Sequence, residues 1–505
     1  MIRDRAGRDI RVMIAWLAGI AAGALLIGLI MIPPVIGLAD SGDFGRVLGV
    51  SGLRVLHPDQ SYEELYFNYA HQYLGYGGYT LGGYVSTHVV FVAIAGWIGR
   101  LLDGDVFDIR VLGACYAAAY IWAVVLFVRH SPGMKSRTAT TIMAASLAAV
   151  LLFVFGDIGY AAYFQSFFGE PYALTAMLLM VASAFALASS NEPAGRMFAL
   201  FVVAALAVAT SKIQNAPLGI VFALLAWRMI GLRGDPRWRR QVWTGAAILL
   251  IGSILMIVAA PDRLKHVNLY QSIFFGVLKD TPHLERDMEE LDIASKYAPL
   301  AGTNYFQKDT AIPQNDHVLH REVLQRLSHK DIALYYLKHP SRFMQKLDRA
   351  AENAMYIRPY YLGNYDASAG KPPGAISHTF SGWSDFKAAA MPRSAAVYFL
   401  VFIAYALALA AVWRRNRSGK WRVAVETMAV VALAGAFSCV VPLIGDGEAD
   451  LGKHLFMFNV CFDMMVVSVI AGAFYGAIKL AGSKPGTGVT AERGKLGAGR
   501  IVHHD

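Results

Sequence analysis

Long uninterrupted runs of apolar residues constrain the fold of this chain more than any other feature. The first run extends from Met13 to Met31 and is long enough to cross a hydrocarbon core of about 30 Å. It exceeds the roughly 7–15 apolar residues of a signal peptide, and Pro33-Pro34 follows it instead of a small-residue cleavage site. We therefore expect a retained signal-anchor at the start of an all-α polytopic membrane protein.

The amino-acid composition also points to a membrane. Hydrophobic residues make up 56% of the chain and charged residues only 16%, against roughly a quarter charged in soluble proteins. The net charge of +10 is concentrated in short segments between apolar runs, at residues 3–11, 228–240 and 414–422. Basic residues beside spans set the orientation of a membrane protein, so we expect membrane lipids and no nucleic acid as partners. The three cysteines have neither zinc-ligand spacing nor a disulfide pattern.

The number of spans follows from the charges of the loops. Counting every apolar run gives eleven spans and leaves the basic loops on inconsistent sides of the membrane. If residues 88–102 lie along the outer interface, where Trp97 and Arg100 suit the headgroup zone, ten spans place each short basic loop in the cytoplasm. We therefore expect about ten spans, possibly eleven, in a bacterial cytoplasmic (inner) membrane, with both termini in the cytoplasm.

This topology divides the chain into four parts. Residues 1–260 form an N-terminal transmembrane module, whose first outer loop covers residues 39–108. Residues 261–392 form a large outer loop with helical patterning, which we expect to fold as a small helical domain. Residues 393–481 provide the last transmembrane helices, and residues 482–505 are expected to form a disordered cytoplasmic tail.

Two carboxylates directly follow the first span, in the sequence Asp40-Ser-Gly-Asp43-Phe-Gly-Arg46. On a helix, this spacing would place both carboxylates on one face. A carboxylate in a partly dry cleft can act as a general base that takes the proton of an acceptor hydroxyl. The alternative is that Asp40 or Ser41 caps the helix that follows.

Two further outer turns carry an isolated ionisable residue each. Glu170 precedes Pro171 at the start of a span, where it is either a candidate acid or an ordinary helix start. Lys212 lies on the face opposite the basic loops. It is a candidate for binding a lipid phosphate, and the alternative is a lysine that extends to the headgroups.

The last outer turn is rich in charge. Asp446, Glu448 and Asp450 precede Lys453 and His454 at the start of the final span. The two cations are candidates for phosphate recognition, and the three acids can offer oxygen ligands to a divalent ion. A solvated polar turn explains the same pattern.

Tyrosines recur in the first outer loop, at Tyr62, Tyr66, Tyr69, Tyr73, Tyr76, Tyr79 and Tyr84. The first four follow helical spacing, and the others continue through a Gly-rich stretch that is expected to end the helix. Such a stripe either anchors the loop at the membrane interface or stacks on sugar rings.

This arrangement resembles the GT-C class of membrane glycosyltransferases, which use polyprenyl-phosphate-linked sugars. The Asp40–Asp43 motif, the interfacial segment before a span that contains Arg110, and Lys212 in a K-x-x-x-x-P turn match that class in order. Within the class, the segments DSGDFGR, SFFGEPYA, YLGNY and GDGEADLGKHLFMFN look like the WsfD-type glycan-biosynthesis hexosyltransferases. The resemblance extends from the first span to the last.

The resemblance implies transfer of a hexose, with inversion, from a polyprenyl-phosphate donor to a cell-envelope glycan or glycoconjugate acceptor on the outer face. It makes Asp40 or Asp43 the general base, makes Glu170 an acid that orients acceptor or metal, and places Lys212 against the donor phosphate. Asp157 lies too far from Glu170 to complete the two-acid motif of metal-dependent relatives, so the need for a divalent metal stays open. Three further phosphate-binding candidates rest on charge alone: Arg46, Lys453 and His454.

Three other classes of function stay open. A transporter or lipid flippase would place ionisable residues near the bilayer midplane, often in two repeated halves. An O-antigen-type polysaccharide polymerase or ligase also has many spans and a large outer loop, and the acidic motif after the first span favours GT-C over it. A non-enzymatic scaffold would recruit envelope proteins through residues 261–392.

Overall fold

A computed structural model of the protein describes residues 2–78 and 84–481. Tyr79 and the tail 482–505 lie outside the described residues. The described chain is predominantly helical and includes many long apolar helices. It therefore confirms the predicted all-α polytopic membrane fold.

Ten apolar helices account for the predicted spans within the described residues. Eight are long and apolar enough to cross a membrane: Ile10–Met31, Arg110–Arg129, Arg137–Phe155, Glu170–Ser189, Pro236–Val258, Ala395–Arg415, Gly419–Gly445 and Phe456–Ala481. Two shorter helices, Gly195–Ala209 and Leu218–Leu232, pack among them. Their facing sides form one large hydrophobic cluster, which includes the fully buried side chains of Tyr120, Leu174 and Phe201.

A third short apolar helix, Thr87–Leu102, occupies the segment that we expect to lie along the membrane surface. Val92 and Ala95 on one side are buried against the rest of the protein. Trp97 and Leu101 on the other side are 65% and 68% exposed. An amphipathic helix of this kind suits a membrane interface, which stays the predicted location.

A small antiparallel sheet lies in the first predicted outer loop, where no strand was expected. Its strands are Leu53–Arg54, Tyr73–Tyr76 and Val106–Asp108, and Tyr73–Tyr76 is the middle strand. The prediction that the first four tyrosines lie on one helix is therefore wrong, because the helix covers only Tyr62–Leu65. Backbone hydrogen bonds to two distant strands outweigh the local helical spacing of the tyrosines.

The segment 261–392, called the cap below, is helical as predicted. Its helices are Asp262–Ser272, Leu284–Glu290, His317–Leu319, His329–Lys338, Pro340–Asn353 and Gly382–Ala390, with π turns Ile273–Val277 and His320–Leu324 and 3₁₀ turns Ser295–Leu300 and Ala367–Ala369. A hydrophobic cluster of its own includes Tyr270, Phe274 and Tyr335. Its status as a separate domain stays a prediction.

Short helical pieces occur at the turns that carry the candidate residues. They are the α-helices Phe44–Ser51, Ile158–Ala161 and Leu451–His454 and the 3₁₀ turns Ala162–Gln165 and Ile213–Asn215. Because these pieces are only one or two turns long, tertiary contacts rather than helix propensity hold them in place.

A buried polar network joins the cap to the spans. Lys387 Nζ of the cap lies 2.7 Å from Asp463 Oδ1 in the last span and donates to Asn459 Oδ1 at 2.7 Å. Asp463 Oδ2 accepts hydrogen bonds from Tyr160 Oη at 2.6 Å and from Trp383 Nε1 at 2.8 Å. The side chains of Lys387 and Asp463 are both completely buried, so each charge is stabilised by the opposite charge of the other.

Asp157 makes a second connection between the spans and the cap. Its Oδ2 accepts hydrogen bonds from the backbone N–H groups of Trp383 and Ser384, each at 3.0 Å, and its Oδ1 accepts one from Gly159 at 2.7 Å. This carboxylate therefore holds the start of the Gly382–Ala390 helix.

Candidate functional site

Residues from all four predicted outer turns line one cavity of about 1120 Å³, called the large cavity below. The second turn contributes Phe167, Phe168 and Gly169. The other three turns contribute seven charged side chains and His454: Asp43, Arg46, Lys212, Asp446, Glu448, Asp450, Lys453 and His454. These eight residues therefore share one cleft, as the sequence predicts for the outer turns, whereas the candidate residues Asp40 and Glu170 do not line it.

Apolar residues form another part of the same cavity. Met256 and Val441 belong to the spans Pro236–Val258 and Gly419–Gly445, and Leu264 belongs to the cap. The cavity therefore has a charged side at the turns and an apolar side that reaches into the ends of two spans. Such a combination suits an amphiphilic ligand.

Lys453 is the centre of an ion-pair cluster. Its Nζ contacts Asp43 Oδ2, lies 2.5 Å from Asp450 Oδ2 and donates to Ser41 Oγ at 3.3 Å. Arg46 Nη1 approaches Asp43 Oδ1 at 3.1 Å. Burial lowers the pKa of Lys453, but the neighbouring carboxylates, that of Asp43 first, raise it well above its ordinary value. Lys453 is therefore a fixed positive charge at neutral pH.

Asp40 and Asp43 occupy opposite electrostatic environments. Burial raises the pKa of Asp40 to about 6, against backbone hydrogen bonds that lower it. Burial acts in the same direction on Asp43, but the charges of Lys453 and Arg46 outweigh it and hold the pKa of Asp43 well below its usual range. Asp43 is consequently a weak base, whereas Asp40 has the pKa that a general base needs near neutral pH.

The two carboxylates also differ in position. Asp40 Oδ1 accepts hydrogen bonds from the backbone N–H groups of Gly42 at 2.7 Å and Phe44 at 3.0 Å, so it caps the Phe44–Ser51 helix, as the alternative interpretation expects. Asp40 precedes this helix and Asp43 is its N-cap residue. The expectation that both lie on one helix face is therefore wrong. Gly42, with a φ of +95°, turns the chain between them.

This turn contributes to two cavities. Ser41, Gly42 and Asp43 line the large cavity, whereas Asp40 lines a second cavity of about 220 Å³, called the small cavity below. Phe167 lines both. The two candidate bases therefore face different spaces on either side of one short turn.

Glu170 is placed to hold Lys212. Its Oε1 pairs with Lys212 Nζ, and its Oε2 is buried without a hydrogen-bond partner among the described residues. The Glu170 side chain is 3% exposed, while that of Lys212 is 18% exposed and lines the large cavity. Lys212 is thus the partner that a ligand can reach, and Glu170 fixes its position.

His454 connects the last turn to the third turn. Its Nε2 lies 3.0 Å from Asp446 Oδ2, and its Nδ1 lies 3.0 Å from Gln214 Oε1. Gln271 of the cap donates to Asp446 Oδ1 at 3.0 Å. These contacts hold His454 at the wall of the large cavity between spans and cap.

The three acids of the last turn face three different partners. Asp446 faces His454, Asp450 faces Lys453, and Glu448 lies 2.7 Å from Lys279 Nζ and 2.6 Å from Lys346 Nζ. They are therefore not arranged as joint ligands of one divalent ion. Across residues 2–78 and 84–481, no group of three or more His, Cys, Asp or Glu side chains is placed to hold a metal.

The cap supplies cavity residues that were not among the predicted site residues. Tyr361, in the YLGNY segment, lines the large cavity, and its buried Oη has no hydrogen-bond partner within the described part of the chain. Arg349 and Phe306 also line it. The YLGNY resemblance is the one local signal at Tyr361. No local pattern marks Arg349 or Phe306, which reach the cavity only when the cap packs on the spans.

A family model described as the YfdI N-terminal transmembrane domain matches residues 4–485. All four turns and the cap fall within that match. Neither a curated protein nor a solved structure matches the chain. The resemblance to WsfD-type enzymes stays a prediction.

Proposed function

The chain belongs to the YfdI N-terminal transmembrane domain family, which is linked to glycosyltransferase-like function, and from this membership we propose that it is a GT-C hexosyltransferase. In this proposal it moves a hexose, with inversion, from polyprenyl phosphate to a cell-envelope glycan or glycoconjugate. The protein lies in the bacterial cytoplasmic membrane with both termini inside, and both cavities lie on the outer face.

One observation carries the proposal: a single cavity combines fixed cations with an apolar side formed by span residues. A polyprenyl-phosphate sugar needs both features, because its phosphate is anionic and its chain is a hydrocarbon. Met256 and Val441 suit the chain, and Lys453, Arg46 and Lys212 suit the phosphate.

The reaction needs charge stabilisation at the leaving group. An acceptor hydroxyl oxygen attacks the anomeric carbon opposite the phosphate, forms the new glycosidic bond and breaks the bond to the phosphate oxygen. Polyprenyl phosphate leaves as an anion, and preorganised cations stabilise the charge that develops on it. Lys453 is suited to this role because Asp43 and Asp450 fix its position.

The acceptor proton needs a base. We assign this role to Asp40, whose pKa of about 6 leaves it ionised at neutral pH and basic enough to take a proton. Asp43 instead orients Lys453 and Arg46, because its negative charge is already balanced by those two cations.

Arg46→Gln is expected to slow transfer about ten- to hundredfold, because a charged hydrogen bond contributes roughly 1.5–3 kcal/mol. The assay uses proteoliposomes, radiolabelled polyprenyl-phosphate hexose and a cell-envelope acceptor extract, and it measures label moved from lipid to acceptor. Arg54→Gln is the matched control, since Arg54 lies in the same loop and lines neither cavity. An inactive wild type with several donor sugars contradicts the proposed function and favours a polymerase, ligase or flippase.

The transfer rate is expected to fall about tenfold per pH unit below a midpoint of about 6, because Asp40 must be ionised to accept a proton. The contribution of Asp40 to folding stability changes with pH in the opposite direction to the transfer rate. Since the folded pKa of Asp40 lies above its ordinary value, its contribution to stability is present at low pH and is lost as the pH rises through about 6. Unfolding through this group therefore does not cause the acid loss of rate.

Initial rates and melting temperatures measured together across this pH range test the assignment. His454→Gln is the control, because His454 is an ionisable residue of the large cavity that the proposed proton transfer does not use. The assignment of Asp40 fails if His454→Gln removes the acid limb, or if the rate stays constant down to about pH 4.

A further inference from the structure

The small cavity is built from the tyrosine-rich segment that the proposed reaction does not yet use. Its volume of about 220 Å³ corresponds to about seven waters at roughly 30 Å³ each, which is the scale of one sugar ring. Tyr66, Tyr69 and Tyr73 line it together with Asp40 and Asp366. A pyranose ring can pack its C–H faces against aromatic rings. Its hydroxyl groups can donate hydrogen bonds to carboxylate oxygens.

Hydrogen-bonding capacity is available in this cavity. The hydroxyl groups of Tyr66 and Tyr69 have no hydrogen-bond partner among residues 2–78 and 84–481. Asp366 accepts from the backbone of Gln72 at 3.2 Å and of Ser368 at 2.9 Å, which leaves further lone pairs free on its carboxylate. Gln60 and Glu64 add two more polar side chains to the wall.

The charge of the small cavity differs from that of the large cavity. Its described lining residues include the carboxylates of Asp40, Glu64 and Asp366 and two histidines, His57 and His71, but no Lys or Arg. The cations that suit a phosphate all lie on the other side of the Asp40–Asp43 turn. The small cavity therefore favours a neutral polyol and disfavours an anionic ligand.

The backbone around the small cavity is held in one conformation. Phe67 N–H donates to Asp40 O at 2.8 Å, and Gly363 N–H donates to Phe67 O at 2.7 Å. A Cβ on Gly363 would collide with the backbone oxygen of Asn68, so the YLGNY segment requires glycine there. Phe67 has a φ of +66°, which is costly for a residue other than glycine and persists only where surrounding contacts impose it.

We propose that the small cavity is an acceptor subsite that binds one neutral hexose unit of the acceptor saccharide beside Asp40. The inference rests on the proposed function, because it places the acceptor on the Asp40 side of the turn and the donor phosphate on the Asp43 side. Asp40 then faces the molecule whose proton it takes. Acidic sugars are excluded from this subsite by its three carboxylates.

Binding of methyl β-glucopyranoside, methyl β-galactopyranoside and methyl α-mannopyranoside to the full-length protein in nanodiscs tests the subsite without any donor. Saturation-transfer NMR is expected to detect at least one hexoside, with a Kd on the order of 1 mM, and not the corresponding uronic acid. Ala367→Trp fills the cavity from an exposed position and is expected to abolish binding. Tyr69→Ala should weaken it about tenfold.

Tyr305→Ala is the matched control, because Tyr305 is a half-buried tyrosine that lines neither cavity. In the transfer assay, Ala367→Trp is expected to raise the KM for acceptor about tenfold or more and to leave the KM for donor unchanged. Absence of hexoside binding, or equal binding by Ala367→Trp, overturns the subsite.

The two proposals fail in distinguishable ways. If wild type transfers sugar and Ala367→Trp keeps its KM for acceptor, the subsite is wrong and the proposed function stands. If the hexosides bind to the small cavity but no donor sugar is ever transferred, the proposed function fails and the acceptor assignment falls with it.

Discussion

Asp40→Asn lowers the rate constant for sugar transfer by about 10²–10⁴-fold at pH 7.5, the usual range for loss of a general base. The amide keeps the size of the carboxyl group and still accepts hydrogen bonds from Gly42 and Phe44. Asparagine caps helices as well as aspartate does, so the fold is preserved. The expected result is a folded protein that binds donor and acceptor and transfers sugar very slowly.

The capping role of Asp40 needs its own control, and Asp157 supplies it. Asp157 is also buried and also accepts backbone hydrogen bonds at a helix start, but it lines neither cavity. In Asp157→Asn an amide nitrogen replaces one of the two accepting oxygens, so this variant should lower the melting temperature and yet keep most of the activity of the folded protein. Melting temperatures of both variants, measured beside initial rates, separate loss of chemistry from loss of structure.

A small effect of Asp40→Asn would support a different view of the turn. If the variant retains transfer within about threefold of wild type, the carboxylate only caps the helix and the base lies elsewhere. Unchanged function in both Asp40→Asn and Asp43→Asn is also what a non-enzymatic scaffold predicts.

Lys387→Met destabilises the protein by about 3–5 kcal/mol, because it leaves the buried Asp463 carboxylate without its cation. Asp463 would keep the hydrogen bonds from Tyr160 and Trp383, but no positive charge would remain beside it. Unfolding in a graded denaturing-detergent series measures the loss. The matched control is Lys330→Met on the exposed surface of the cap, which should change stability by less than about 0.5 kcal/mol.

A double variant separates the lost pair from the stranded charge. Lys387→Met combined with Asp463→Asn removes both formal charges, so it should be less destabilised than Lys387→Met alone. If the double variant is instead as unstable as the sum of the two single changes, the two side chains do not interact. That outcome would remove the ion pair as the connection between cap and spans.

The sequence predicted the spans because apolar runs and loop charges are local signals. Glu170 begins its helix and Lys212 lies in the turn between two helices, as their positions between runs indicate. The topology also predicted that Asp43, Lys212 and Lys453 line a common cavity, because turns on the same side of a membrane lie at the same end of a helix bundle. Which side the turns face stays a prediction.

Other features depend on pairings between distant residues. Tyr73–Tyr76 forms a strand because it meets two partners far along the chain, so helical spacing was a poor guide. The contrast between Asp40 and Asp43 arises from Lys453, which is 410 residues from Asp43 in sequence. The small cavity likewise forms only where Asp366 of the cap meets residues of the segment 39–108. The local residue pattern of one sequence contains no signal for contacts between residues that are far apart along the chain.

The two polar contacts that join the cap to the spans determine when the cap can dock during synthesis. Asp157 leaves the ribosome 226 residues before its partner Trp383, and Lys387 leaves it 76 residues before Asp463. At roughly 5–20 residues per second, Lys387 waits on the order of 4–15 s for its counter-charge. During that interval its ammonium group must stay hydrated, because an unpaired cation does not enter an apolar site. The Lys387 end of the cap therefore docks only after the last helix has been inserted. Docking of the cap and insertion of the last span are then completed together.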